Sequence, residues 1–239
     1  MTWSILARDP ATGELGAAVA TKFFAVGALC LRTEGGTGAV ATQALVNPML
    51  GLRAIERLRA GEAPEAVGAA LLRDDAGRET RQLHMIAADG ASFRHTGAEC
   101  VDWAGHLDGA DVSVAGNMLA GPGVIWATRD AFRASAGQPL ALRLIAALEA
   151  GEAAGGDKRG RQSAALQVTS RDPYPDLDLR VDDHPDPLAE LRRLHAVAGQ
   201  HFTQYRPFLA GRDHPGVFDR AVINAAIARG TAAAGDKAP

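Results

Sequence analysis

Apolar and polar positions alternate first with a period of two. Thr2 to Ala7 and Leu15 to Thr21 read as strands joined by Asp9-Pro10-Ala11-Thr12-Gly13, a strong turn signal, which predicts a β-hairpin at the N-terminus. Ala28 to Arg32 and Gly38 to Gln43 predict two further strands around Glu34-Gly35-Gly36-Thr37. The period then lengthens. Pro48 to Ala60 stops at Gly61, and Ala63 to Arg73 carries Val67, Leu71 and Leu72 along one side, so both read as helices. Leu83 to Ala88 and Ser92 to His95 flank the hairpin dipeptide Asp89-Gly90, and Val112 to Ala115 predicts one more strand. Helices follow at Val124 to Ala134 and Pro139 to Ala150, then strands at Ser163 to Thr169 and Leu177 to Val181. The chain is helical from Pro187. Phe202 to Gly230 reads as two short helices joined through Gly211 to Gly216, and Thr231 to Pro239 as a frayed tail. This order fits two antiparallel sheets packed together with helices outside, or one sheet covered by helices.

The 239 residues suffice for one large domain with an appendage. Hydrophobic residues make up 47 % but aromatics only 5 %, which predicts closely approaching layers built on small side chains. A net charge of −3 favours neither nucleic acid nor an anionic membrane surface as partner. Cys30 and Cys100 read as free buried thiols. Neither a secretory segment nor the ~18 uninterrupted apolar residues of a membrane span is visible, so a cytoplasmic location is expected.

The densest polar chemistry lies in Gly155-Gly156-Asp157-Lys158-Arg159-Gly160-Arg161-Gln162-Ser163, which runs straight into an apolar strand. Gly151 and Gly156 have the spacing of a phosphate-binding loop, but Asp157 stands where that loop requires Lys, and a helix rather than a strand precedes it. The segment therefore reads as a polar active-site lining or as a basic turn capping a strand. Thr2 follows the initiator Met and permits its removal; its α-amine would then have a reference pKa of about 7.7–8.0 and would take the proton of its own hydroxyl. Such a nucleophile needs oxyanion donors, for which Gly116-Asn117 is a candidate, and Lys22 at the end of the second strand would tune the amine. The competing readings are a β-branched edge residue, a turn Asn and a solvated Lys. Asp182-Asp183-His184-Pro185-Asp186 has the composition of a metal cluster without a standard ligand spacing. Trp103-Ala104-Gly105-His106 forms a polar aromatic corner without a triad partner, and Ser4, Ser113 and Ser163 lack a nucleophile-elbow context.

Taken together, Thr2 to Gly16, Phe23 to Gly27, Gly38 to Ala44, Trp103 to His106, Gly116 to Gly121, Gly155 to Leu166 and Asp178 to Glu190 resemble the family DUF1028, a branch of the N-terminal nucleophile (Ntn) hydrolases. The resemblance implies an α/β (α+β) fold, a four-layer αββα sandwich of two antiparallel sheets, over residues 1–198. Residues 199–239 would form a helical C-terminal extension. It implies an amidohydrolase that cleaves a C–N bond in a small or peptide-like substrate and requires no cofactor or metal. Thr2 would be the nucleophile and Asn117 an oxyanion donor, with Lys22 and Asp157 in the catalytic set. Arg159, Gln162, Ser163, Gln43 and His106 would contact substrate. A retained Met1 would put the amine on the wrong residue. Competing functions are a deaminase or metal-assisted hydrolase using Asp182, Asp183 and His184, or a non-catalytic ligand-binding or assembly module. The helix from Pro187 and the aromatic segment Phe202 to Phe218 mark the expected contact of a homo-oligomer, most simply a dimer.

Overall fold

A computed structural model describes residues 2–235, with side chains described to residue 230. The fate of Met1 lies outside the described residues. The chain divides into two units, Met1–Leu191 and Arg192–Pro239, with the boundary inside helix α6 (Pro187–Gln200).

In the first unit the N-terminal hairpin forms from β1 (Thr2–Arg8) and β2 (Leu15–Thr21), closed by the Asp9 turn, where Gly13 adopts φ +77°. A short helix α1 (Val26–Leu29) leads to β3 (Leu31–Glu34) and β4 (Gly38–Ala44), then to α2 (Pro48–Arg59) and α3 (Pro64–Arg73). β5 (Arg81–Ala87) and β6 (Ser92–Thr96) form a second hairpin, followed by β7 (Gly105–Gly109) and β8 (Val112–Asn117). Helices α4 (Gly123–Ala134) and α5 (Leu140–Ala153), strands β9 (Ser163–Thr169) and β10 (Leu177–Val181), and the start of α6 complete the unit.

The strands make two sheets, all of whose pairs are antiparallel: β10-β9-β2-β1-β8-β7 and β3-β4-β5-β6. Helices α4 and α5 cover the outer face of the larger sheet, and α2 and α3 that of the smaller, while β1 packs on β4 and β5 on β8 between them. The layers are therefore α, β, β, α. Between the sheets the core is built from Leu6, Leu15, Val19 and Ile86 with Ala17, Ala39, Ala41 and Ala165, so the sheets approach over small side chains. A second core of Leu50, Ile55, Val67, Leu71, Met85 and Phe93 lies under α2 and α3.

Two expectations for this unit require correction. The run predicted as a strand at Ala28 to Arg32 is split: α1 forms first, closed by the Cys30 N–H donating to Val26 O at 3.0 Å, and β3 starts at Leu31. A short apolar run does not by itself distinguish strand from helix, and here packing decides. Gly27 lies so close to β9 that a Cβ would sit 2.4 Å from that of Ala165. In addition, the His106 corner is an edge strand, β7, paired with β8 from Gly105↔Gly116 to Gly109↔Val112. Its Gly-His-Leu-Asp-Gly sequence is half-exposed and lacks the apolar alternation of a buried strand.

In the second unit, α7 (Phe202–Tyr205) runs into a single 3₁₀ turn, and α8 spans Arg220–Gly235. The tail expected to fray from Thr231 thus continues as helix through Gly235, and residues 236–239 lie outside the described residues. Within this unit His201, Tyr205, Phe218, Arg220, Ile223 and Ile227 border a cavity of about 430 Å³.

Candidate active site

Thr2 begins β1 opposite Asn117, the last residue of β8. On β1 the residues Thr2, Ser4 and Leu6 share one face, and Trp3 and Ile5 the other. Both faces are buried. Thr2 Oγ1 lies 3.2 Å from Thr21 Oγ1 at the end of β2, and the Thr2 carbonyl oxygen accepts at 3.5 Å from both Gln43 Nε2 and Asn117 Nδ2.

Behind this strand end, between the sheets, lies a network of buried amides and hydroxyls centred on Gln82. Gln82 Nε2 donates its two hydrogens to Gly116 O at 2.8 Å and Gly105 O at 3.1 Å, and lies 3.0 Å from Thr96 Oγ1. Carbonyl oxygens only accept, so this contact set fixes the orientation of the Gln82 amide. Its Oε1 then faces Gln43 Nε2 and Asn117 Nδ2, which donate to it at 2.9 Å each. With Gln43 Nε2 so placed, its Oε1 accepts from Ser4 Oγ at 2.7 Å. Ser4 has one proton and has used it, so its other contact, His84 Nε2 at 2.8 Å, is a donor; Ser113 Oγ then donates to His84 Nδ1 at 3.0 Å. The tautomer of His84 follows from the chain. Complete burial, reinforced by the charge of His106, pushes the His84 imidazole down to about 3, so it is neutral at physiological pH. Every polar atom named here has a partner, as burial of such groups demands.

His106 joins this network from outside. Its Nδ1 lies 2.8 Å from Thr96 Oγ1, and burial, then the charge of Arg94, lowers its pKa. Gln43, Asn117 and His106 are therefore brought together around Gln82. Sequence reasoning did not assign Gln82 or His84 a role. Their signal is the polar pair Gln82 and His84 at i, i+2 in a strand whose alternate positions, Leu83 and Met85, are apolar. That pattern normally marks a solvated face.

The Asp157 segment is a second polar cluster. The Asp157 side chain is fully buried: Oδ2 accepts from the Lys22 backbone N–H at 2.7 Å and Oδ1 from the Arg159 N–H at 2.8 Å, and the Arg159 guanidinium bridges it at 3.1 Å. Asp157 therefore anchors the residue that follows Thr21 and forms a bridge to Leu119, two residues past Asn117. Lys22 directs its Nζ to Arg161 O at 3.2 Å. Gln162 Nε2 donates to Asp183 Oδ1 at 3.1 Å on the surface, and Ser163 Oγ donates to Phe23 O and accepts from the Val26 N–H at 3.2 Å. Ser163 thus clamps the turn that leads into α1, and Gln162 joins the Asp182–Asp186 turn. In that turn Asp182 pairs with Arg180, and the Asp186 N–H donates to His184 Nδ1 at 3.0 Å. Among the described residues no group of three or more His, Cys, Asp or Glu is placed to hold a metal.

Two cavities that share Ala44 in their linings lie at the strand end. One, of about 60 Å³, is lined by Thr2, Phe23, Val26, Leu29, Cys30, Ala44 and Val46. The other, of about 200 Å³, is lined by residues including Ala44, Thr80, Glu99, Cys100, Asn117 and Met118. Phe23, Leu45 and Val101, each more than half exposed at 52, 65 and 55 %, form an apolar rim. Burial pushes the Cys30 thiol up to about 12, so it is not a competing nucleophile. Two of the four non-glycine residues with positive φ among the described residues line these cavities, Ala44 at 71° and Met118 at 52°. A left-handed backbone costs an L-residue roughly 1–2 kcal/mol, and such strain concentrates at functional sites.

A family of unknown function, DUF1028, matches residues 2–191. The chain belongs to DUF1028. A crystal structure of protein SPO2555 from Silicibacter pomeroyi, itself assigned to DUF1028, is 34 % identical and superposes with a TM-score of 0.84 over 92 % of this chain and 96 % of that one. Anbu, an ancestral β-subunit from Yersinia bercovieri, is 12 % identical with a TM-score of 0.38, over 82 % and 94 % of the two chains. No curated protein matches this chain. The DUF1028 match ends at Leu191, where the first structural unit also ends. Every residue of the Thr2, Gln82 and Asp157 clusters therefore lies inside the DUF1028 region.

Proposed function

We propose that this DUF1028 protein is an Ntn-type amidohydrolase in which Thr2, freed of Met1, attacks the carbonyl of a small or peptide-like substrate. The observation that carries this reading is the position of Thr2. It is a hydroxyl-bearing second residue at the end of a buried strand, lining one cavity and directly opposite Asn117, which lines a second. Oγ bonds to the carbonyl carbon while the α-amine takes its proton; the oxyanion collapses, the C–N bond breaks, and the leaving amine takes the proton back. Water then hydrolyses the Thr2 ester by the same route. Asn117 supplies an N–H to the oxyanion. The small apolar cavity suits the acyl portion and the larger one, bordered by Glu99 and Asn117, the amine portion. No step calls on a metal or organic cofactor.

The test is hydrolysis of a panel of acyl p-nitroanilides by protein expressed without an N-terminal tag, whose loss of Met1 is verified by intact mass. Thr2→Ser should retain turnover, and Thr2→Ala should lose it by at least about 10³-fold. Equal rates for wild type and Thr2→Ala would remove Thr2 from the chemistry.

A further inference from the structure

We propose that the oxyanion site is built from two side-chain amides, Gln43 and Asn117, and that Gln82 is the positioning residue that aims both. The inference rests on Thr2 as the reacting residue. Gln43 comes from β4 in one sheet and Asn117 from β8 in the other, yet both direct the same kind of atom at the same two acceptors. Each gives one hydrogen to Gln82 Oε1 at 2.9 Å, and each approaches the Thr2 carbonyl oxygen at 3.5 Å. The first contact is a well-formed hydrogen bond and the second lies at the limit of one. Each amide is thus held by Gln82 while its second N–H is only weakly engaged beside Thr2. These two hydrogens are the donors that the oxyanion of a substrate carbonyl attacked by Thr2 Oγ would recruit, and recruitment leaves the bonds to Gln82 intact.

Gln82 suits this role because its own orientation is fixed from behind. The carbonyl oxygens of Gly105 and Gly116 accept from its Nε2, so Oε1 must face the site. Gln43 is fixed in the same way by the Ser4 hydroxyl, which His84 orients in turn. All five side chains are at most 2 % exposed, so water does not compete for these donors. Preorganised donors of this kind act most strongly in a dry site, because they need no reorientation as charge develops.

Two electrophiles separate this role from a structural one. A β-lactone acylates Thr2 through a tetrahedral oxyanion: the Oγ–C bond forms, the ring C–O bond breaks, and the released alkoxide takes the proton carried by the α-amine. A vinyl sulfone adds Oγ to its terminal alkene carbon, and the adjacent carbon takes that proton, with no charge on a carbonyl oxygen. For Gln43→Met and Gln82→Met the expected result is lactone acylation slowed by about 100-fold or more while vinyl sulfone addition stays within about threefold of wild type. Gln82→Glu, whose buried acid keeps an acceptor toward both amides and a donor toward one of the two glycine carbonyls, should recover most of the lactone rate. It also serves as the folded comparison if Gln82→Met is poorly soluble. Equal slowing of both probes, or no slowing of either, overturns the two-amide site and leaves Thr2 as nucleophile. Absence of Thr2-dependent labelling by both probes in the wild type overturns the underlying reading and the inference with it.

Discussion

At the scale of single residues, His84 shows how a buried imidazole is kept neutral. Unfolded, it takes a proton near pH 6.5; folded, burial holds the proton off until about pH 3. The unfolded state therefore binds one more proton across that window. The contribution of His84 is fully present above pH 6.5 and is lost as pH falls toward 3, at up to about 1.4 kcal/mol per pH unit. Urea unfolding midpoints measured from pH 7 to pH 4 should fall more steeply for wild type than for His84→Gln. Parallel curves would show that His84 does not hold off its proton as its burial implies. The roles of Gln82 and His84 were not legible in the sequence, because polar residues alternating along a strand look solvated until a second sheet closes over them. Thr2 and Asn117 were legible as individual candidates. Their register across β1 and β8 was not, since pairing between strands about 115 residues apart is set by tertiary packing.

At the scale of elements, the Asp157 segment acts as a tie between the end of β2 and the loop after β8. It was readable as chemically unusual because it places so many polar groups just before a buried strand. Composition could not assign partners, and the structure separates its members: Asp157 turns inward, while Gln162 bonds to Asp183 at the surface. Asp157→Asn replaces one acceptor oxygen by a donor facing a backbone N–H. It should lower stability by about 1–3 kcal/mol, whereas Gln162→Ala should change it by no more than about 0.5 kcal/mol. Chemical denaturation of the two variants side by side checks this, and equal small effects would return Asp157 to the role of a surface turn residue. The hairpins and the four helices of the outer layers were readable because turn chemistry and amphipathic periodicity agreed there. The sequence reading took α1 for strand and passed over β7, in both cases where a short run lacked a decisive period.

At the scale of the whole molecule, residues 2–191 carry the family match and the candidate site, while Arg192–Pro239 forms a separate unit. That second unit exposes Phe218 at 82 % together with Phe202 and Tyr205. We propose that these aromatics meet a second copy of the chain. Multi-angle light scattering at micromolar concentration should give a dimer, and Phe218→Glu should shift it toward monomer; a wild-type monomer would refute this. No helix among the described residues is long and apolar enough to cross a membrane. The central claim for the molecule is that Thr2, once it is the first residue, is the nucleophile. The most direct measurement is peptide-mapped intact mass after exposure to a β-lactone. The expected result is a chain lacking Met1 that gains one adduct on Thr2, with no adduct on Thr2→Ala. Equal labelling of both proteins, or an adduct mapped to another residue, would contradict it.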